Sequence, residues 1–205
     1  MDTKDMAAAY DAAASLYPTE LAPDSVTRAM LERLSPQLPA GARVIDVGCG
    51  AGRSTRWLEN HGYTVLSVDV SAQMLQRTRL GRPDAGTAQA DMRALPVAPA
   101  TFDGLTAFFS LVHVPKAEVP RALREFHRVL KPGGIMLASV RRGEGDESGL
   151  TKWADGYEMH FTDFVEHELE GLLAEAGFRV TGTETCEALM NGERTTHIFI
   201  SAVAL

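Results

Sequence analysis

The chain has 205 residues, 45% hydrophobic and 23% charged, enough to bury one core in a single globular domain, residues 1–205. A formal net charge of −7 repels phosphate backbones and anionic membranes, which disfavours a nucleic-acid substrate. With no apolar run near the ~18–20 residues of a membrane span, no basic and apolar leader at the N-terminus, and only Cys49 and Cys186 as thiols, the expectation is a cytoplasmic protein without disulfides or a metal site.

In chain order, an alanine-rich helix is predicted up to Pro18, and a second from about Ser25 to Leu34, closed by Pro36 and Pro39. Apolar β-type runs then alternate with helical patterns. "RVIDV" reads as a strand and Ser54 to Asn60 as a helix. "TVLSVDV" reads as a strand, and Ala72 to Leu80 as a helix capped by Ser71. "GTAQA" is a weak strand and "DGLTAFFS" a strong one. The next helix carries Val119, Leu123, Phe126 and Leu130, whose spacing of four, three and four makes one buried face. "KPGG" turns the chain into the strand "IMLASV". Arg141 to Phe161 reads as a long loop, and a helix follows from about Asp163 to Ala176, stopped by Gly177. "FRVTGTETC" and "THIFISAVAL" are two final strands. The alternation predicts an α/β fold with a mostly parallel sheet, helices on both faces, and a ligand at the carboxyl ends of the strands.

The stretch "VIDVGCGAGRST", Val44 to Thr55, places Gly48, Gly50 and Gly52 between a strand and a helix. A loop that gives up so many side chains brings its backbone close to a ligand, although several nucleotide-binding folds share this pattern. Asp46 discriminates among them: its carboxylate would repel the pyrophosphate of a dinucleotide and attract an ammonium group. The last glycine is also one residue short of the dinucleotide spacing. An adenosine-linked amino acid therefore fits better than NAD. Asp69, about 20 residues on, ends the next strand and suits a ribose diol. Asp91 suits an adenine amino group and Met92 the adenine ring; the alternative for each is a helix cap or a core residue.

Together with "SVDVS", "ADMRALP", "FDGLTAFFSLVHVP" and "REFHRVLKPGGIMLAS", the glycine loop resembles the successive motifs of class I S-adenosylmethionine (SAM) dependent methyltransferases. "FTDFVEHELEGLLAEAGFRV" resembles that family's last helix and strand, and "YDAAASLY" the N-terminal lid of its small stand-alone bacterial members. The resemblance implies a Rossmann-like seven-stranded sheet whose last strand is antiparallel, a lid formed by residues 1–36, and a substrate roof formed by residues 141–162. It implies SAM as cofactor and S-adenosylhomocysteine as product, with the methionine part over Gly48, Cys49 and Gly50, the ribose on Asp69 and the adenine by Asp91 and Met92. Phe108 would stand beside the carboxypropyl arm and Tyr10 and Tyr17 would close over the cofactor. Asp46, Gly52, Val70 and Met74 complete the candidate cofactor contacts. Phe108 and Phe109 depart from the small or polar residues of many relatives. The absence of an asparagine-proline-proline-aromatic motif weighs against an amino-methylating DNA enzyme.

A sulfonium methyl is already activated, so the protein has chiefly to align a nucleophile and, where needed, take its proton. His113, after the fourth strand, is the candidate base, with packing beside the cofactor as the alternative. His160 is a second candidate, as a substrate contact or base. Phe109, Arg141, Trp153 and Tyr157 are candidate acceptor contacts; Arg141 could hold a substrate carboxylate or merely balance Glu144, Asp146 and Glu147. His61 and His127 read as surface, His167 and His197 as structural. The leading reading is methyl transfer to oxygen or nitrogen of a small-molecule metabolite by a monomer or homodimer. A SAM-binding protein that catalyses another reaction, such as a cyclisation, and a nicotinamide-dependent oxidoreductase are the alternatives.

Overall fold

Strand-forming runs bounded by glycines, alternating with amphipathic segments, build one sheet clothed by helices on both faces. The computed structural model describes residues 3–17, 23–143, 150–152, 158–190 and 193–205. The order is α1 (Thr3–Ala13), α2 (Ser25–Leu34), β1 (Arg43–Val47), α3 (Arg53–Asn60), β2 (Thr64–Asp69), α4 (Ala72–Thr78), β3 (Gly86–Gln89), β4 (Phe102–Phe108), α5 (Val119–Val129) and β5 (Leu130–Arg142). There follow β6 (Leu150–Lys152), β7 (Glu158–His160), β8 (Asp163–Phe164), α6 (Glu166–Glu175), β9 (Phe178–Met190) and β10 (Glu193–Ala204). The main sheet runs β3-β2-β1-β4-β5-β10-β9, with the short β8 added beside β5. Its first five strands are parallel, and β10 is antiparallel to both β5 and β9, as expected. Strand order reverses between β1 and β4, and a sheet that splits there opens a crevice at its carboxyl edge.

Alternation along the strands divides the core between the two faces. Met136 and Ala138 of β5 pack with Leu123 and Phe126 of α5 and Leu169 and Leu173 of α6. Ile135 and Leu137 pack on the other face with Leu31 and Leu34 of α2 and Trp57 and Leu58 of α3. The face predicted for α5 is wholly buried: Val119, Leu123 and Phe126 are inaccessible, and such side chains contribute roughly 1.5–3 kcal/mol each. Leu130 belongs to that apolar cluster but already has extended backbone, so it opens β5 instead of closing the helix. The expected turn at "KPGG" is an irregularity within β5, where pairing with β4 shifts register.

The region expected to be a loop, from Arg141 to Phe161, is partly sheet. β5 extends to Arg142, and β6 pairs antiparallel with β7. The helix expected at Asp163 begins three residues later, because Asp163 and Phe164 pair onto the end of β5. At the other end of the chain, α1 stops at Ala13 and a single 3₁₀ turn spans Ala14–Leu16. Tyr10 and Tyr17 therefore do not share one helix, although both pack against Ala14, Ala51 and Met74.

Candidate active site

A cavity of about 640 Å³, open mouth included, lies at the carboxyl edge of β1 to β4. Each strand end contributes to its wall: Val47 and Gly48 after β1, Asp69 and Val70 after β2, Ala90, Asp91 and Met92 after β3, and Phe109, Ser110 and His113 after β4. Helix α1 covers it with Thr3, Met6 and Tyr10. Its size suits a ligand of nucleoside dimensions.

The glycine loop is drawn tight against its neighbours. The amides of Gly48 and Cys49 donate to the carbonyl of Val68, at 2.7 and 3.1 Å. At Gly48 a Cβ would fall 2.2 Å from Cβ of Ser110, so no side chain fits, and φ of +68° is also unfavourable for one. Gly50 faces open space, with no atom within 4 Å of where its Cβ would stand. Gly52 is excluded from substitution by packing, since a Cβ there would meet Thr78 of α4 at 2.9 Å. Ser110 Oγ lies buried on the cavity wall with no hydrogen-bond partner. This hydroxyl was missed by the sequence reading, and it asks for a ligand atom.

Asp69 is the electrostatic hinge of the site. Its carboxylate accepts from the Gly50 amide at 2.8 Å and the Ser71 amide at 2.9 Å, which ties the loop to the end of β2. Burial raises its pKa to about 6 against these hydrogen bonds. Asp91 is balanced the other way. Partial burial disfavours its charge, but hydrogen bonds from Arg93 and Thr3 outweigh this and hold the carboxyl down to about 2. Arg93 donates to both carboxylate oxygens and Thr3 Oγ1 to Oδ2 at 2.8 Å, so an adenine amino group would share an acceptor already engaged on two sides.

Asp46 occupies a different place from the one its charge suggested. It does not line the cavity; Thr55 Oγ1 donates to it at 2.6 Å and Thr106 Oγ1 at 2.8 Å, beneath the loop. Burial pushes its carboxyl up despite these bonds. With 2% of its surface exposed and both oxygens occupied, Asp46 braces the loop from below. Cys49 is likewise internal, its Sγ 3.8 Å from Thr78 Oγ1, and burial raises its thiol well above the usual range. Met74 is fully buried beneath the lid, and Tyr17 packs against it away from the cavity wall. Phe108, expected beside the cofactor arm, packs into the α2–α3 side of the core. Phe109 lines the cavity in its stead, because φ of +52° breaks the strand alternation there. Such a conformation costs of order 1–3 kcal/mol in a bulky residue.

At the far end of the cavity Tyr10 Oη is 2.6 Å from His113 Nε2. Desolvation, with Tyr17 and Asp69 nearby, holds the Tyr10 hydroxyl well above its ordinary range. Tyr10 thus keeps its proton in its pair with the buried His113 ring, and the ring's tautomer sets which atom donates. The His113 ring also stands 4.9 Å from Phe161. Next to it, Thr162 donates from its amide to Val112 and from its hydroxyl to Val114, stapling the segment after β7 to the His113 turn. The lid is pinned twice more: Asp11 accepts from Ser71 Oγ and from the Gln73 amide, and Arg77 donates to the Tyr17 carbonyl.

On the acceptor side, Arg141 is paired with Asp163 and lies 4.9 Å over the Phe161 ring. His160 ends β7. Trp153 and Tyr157 lie outside the described residues, as do Glu144, Asp146 and Glu147. His197 is buried against Phe109, the two rings edge to face at 4.7 Å. Among the described residues no cluster of three or more His, Cys, Asp or Glu is placed to hold a metal ion, and no helix is long and apolar enough to cross a membrane.

Comparison with known proteins places this geometry in context. Residues 45–138 match a family model described as a methyltransferase domain. The chain is 34% identical over 159 residues to an uncharacterised methyltransferase of Synechocystis, a match covering 73% of this chain and 72% of that protein. It is 28% identical over 211 residues to the malonyl-[acyl-carrier protein] O-methyltransferase of Enterobacter lignolyticus, covering 97% and 82%. The 1,6-didemethyltoxoflavin-N1-methyltransferase of Burkholderia thailandensis, solved with 1,6-didemethyltoxoflavin and S-adenosylhomocysteine, shares the fold at a TM-score of 0.74 and 21% identity. That likeness covers 98% of this chain and 86% of the other.

Proposed function

Because the chain belongs to the class I SAM-dependent methyltransferases, we propose that it methylates an oxygen or nitrogen of a small-molecule metabolite, with SAM seated in the cavity beneath α1. One observation carries this reading: the ends of four strands and the lid enclose a single cavity that ends at a hydrogen-bonded tyrosine–histidine pair. The residues fit the cofactor. Gly48 lets the loop close against Ser110, whose unpartnered hydroxyl lies on the cavity wall, and Gly50 leaves open space where a side chain would stand. Asp69 takes the ribose hydroxyls, Val70 and Met92 flank the adenine, and Asp91, already held by Arg93 and Thr3, meets its amino edge.

SAM supplies a methyl group activated by its sulfonium centre. The work left to the protein is alignment and exclusion of water, and alignment alone is worth roughly 7–11 kcal/mol. Helix α1 closes the cavity through Tyr10, Thr3 and Asp11. Where the acceptor must lose a proton, Tyr10 and His113 form the route. The acceptor O–H gives its proton to Tyr10 Oη as Tyr10 gives its own to His113 Nε2. Burial disfavours a Tyr10 phenolate, which favours exchange of the two protons together. A base placed this way contributes about 10²–10⁴-fold.

Incubation of the purified protein with methyl-deuterated SAM and a metabolite extract of its source cells tests the proposal. Mass spectrometry is expected to find a small molecule carrying the label. Bound S-adenosylhomocysteine with no labelled product would move the reading to a reaction, such as a cyclisation, that keeps the methyl on its sulfur.

A further inference from the structure

His197 and Phe109 meet where the antiparallel edge of the sheet approaches the cavity. His197 lies on β10, opposite Arg141 of β5 and Cys186 of β9. Its side chain is 1% exposed; Nε2 is 2.9 Å from Thr195 Oγ1, and Nδ1 has no hydrogen-bond partner. Nearly all buried polar atoms are paired, so an orphaned ring nitrogen calls for a reason. Nearby charges do not provide a partner. Asp24 spends its carboxylate capping α2 through Val26 and Thr27, and Arg141 is paired with Asp163.

The ring that touches His197 is Phe109, and Phe109 lines the cavity. The His197 ring thus stands directly behind one side chain of the cavity wall. That side chain is held in the left-handed region at φ +52°, with its amide donating to both the carbonyl and the hydroxyl of Ser139. A bulky residue rarely adopts this conformation, and strain of this kind gathers at ligand clamps and moving parts. Two independent departures from ordinary packing therefore touch each other at the cavity wall.

We propose that Phe109 is a gate over an acceptor subsite in which His197 Nδ1 hydrogen-bonds a hydroxyl on an aromatic acceptor. The proposal rests on the methyl-transfer reading and names its substrate class. The hydroxyl follows from the imidazole. Depending on the direction of the Thr195 bond, Nδ1 of a neutral ring either donates or accepts, and a hydroxyl satisfies both cases. A carboxylate or an ammonium satisfies only one, and would bring a charge beside Phe109 and Phe199, whose rings stand edge to face at 5.7 Å. Burial lowers the pKa of His197, in keeping with a neutral ring. The aromatic part follows from those same two rings, which favour edge or offset contact with a third.

2-Naphthol, whose own fluorescence reports binding, and 2-methylnaphthalene, its apolar isostere, are the probes, titrated with and without S-adenosylhomocysteine. The wild type is expected to bind 2-naphthol at least roughly tenfold more tightly, as one hydrogen bond rescued from burial warrants. His197→Phe should abolish that preference and raise Tm by about 2–4 °C, because the unpaired nitrogen is gone. Equal affinities in the wild type, or a preference kept by His197→Phe, would overturn the proposal. Nitrogen-15 NMR of the wild type is independent of any variant's folding: the Nδ1 resonance should move with 2-naphthol and stay with 2-methylnaphthalene, and the reverse refutes the subsite. Calorimetry with S-adenosylhomocysteine alone separates the two readings, since loss of that binding strikes the methyltransferase assignment and not the naphthol comparison.

Discussion

The two ends of the cavity are built differently. On the β1–β3 side most polar groups already have partners: Asp69 holds Gly50 and Ser71, Asp91 holds Arg93 and Thr3, and Asp46 is braced by two threonines. On the β4–β5–β10 side, polar capacity is left over. His197 Nδ1 lacks a partner, and Phe109 sits in a strained conformation. A site that is satisfied before its ligand arrives is rigid and suited to one invariant partner. A site with unspent hydrogen-bond capacity awaits a ligand that supplies the missing half. Under the proposed function, the first would be the SAM side, preformed, and the second the acceptor side, completed by its substrate.

Three substitutions test that contrast, in decreasing order of effect. Gly48→Ala should do the most damage. Its methyl collides with Ser110 and its φ is unfavourable, so overpacking and backbone strain together should cost about 3 kcal/mol, read from urea unfolding, with loss of S-adenosylhomocysteine binding. A stable variant with normal binding would mean that the loop yields easily and is not preformed.

Asp69→Asn should weaken S-adenosylhomocysteine by at least roughly tenfold, the worth of one hydrogen bond to a charged acceptor. In the wild type the same carboxyl makes a signed prediction. Its folded pKa of about 6 lies above the unfolded value near 4, so its contribution to stability is fully present below about pH 4 and is lost as pH rises through about 6. Asp91, held at about 2, acts oppositely and loses its contribution only as pH falls toward 2. Cofactor affinity should run against the stability trend, falling as pH drops below about 6, because the ribose hydroxyls need the charged form of Asp69. Thermal melts and calorimetry from pH 4 to 7 should show both slopes, and Asp69→Asn should flatten them. A wild type with no pH dependence in that window would remove Asp69 from its role as hinge.

Arg141→Met should change least. Its pair with Asp163 is partly solvated, and such pairs contribute less than about 1 kcal/mol once screened. Melting temperature and product formation should hardly move. A large loss of turnover would instead return Arg141 to the substrate carboxylate.

How much of this was legible beforehand depends on the reach of each interaction. The α5 face, the glycine loop and the alternation of strands with helices follow from period, spacing and turn chemistry, which act within a dozen residues. The position of Asp46 was not legible, because charge alone does not say which way a strand residue points, and alternation buried it under the loop against Thr55 and Thr106. The lid contacts were invisible: Thr3 meets Asp91, Asp11 meets Ser71, and Tyr10 meets His113 across 88, 60 and 103 residues. Tyr10 and His113 were each named as candidates, but nothing local joins them. The acceptor roof was read as loop because β6 and β7 are three-residue strands with no periodicity to detect.

What the amino-acid order by itself determined is the α/β architecture, the family and the four strand ends that line the cavity, since these depend on local periodicity and on glycines that only one backbone path tolerates. What the tertiary structure alone decided is which carboxylates reach the cavity, how α1 engages His113, and that Nδ1 of His197, packed behind Phe109, has no partner. Those facts depend on packing between segments far apart in the chain, where burial sets the charge of a group and geometry decides whether it finds a partner.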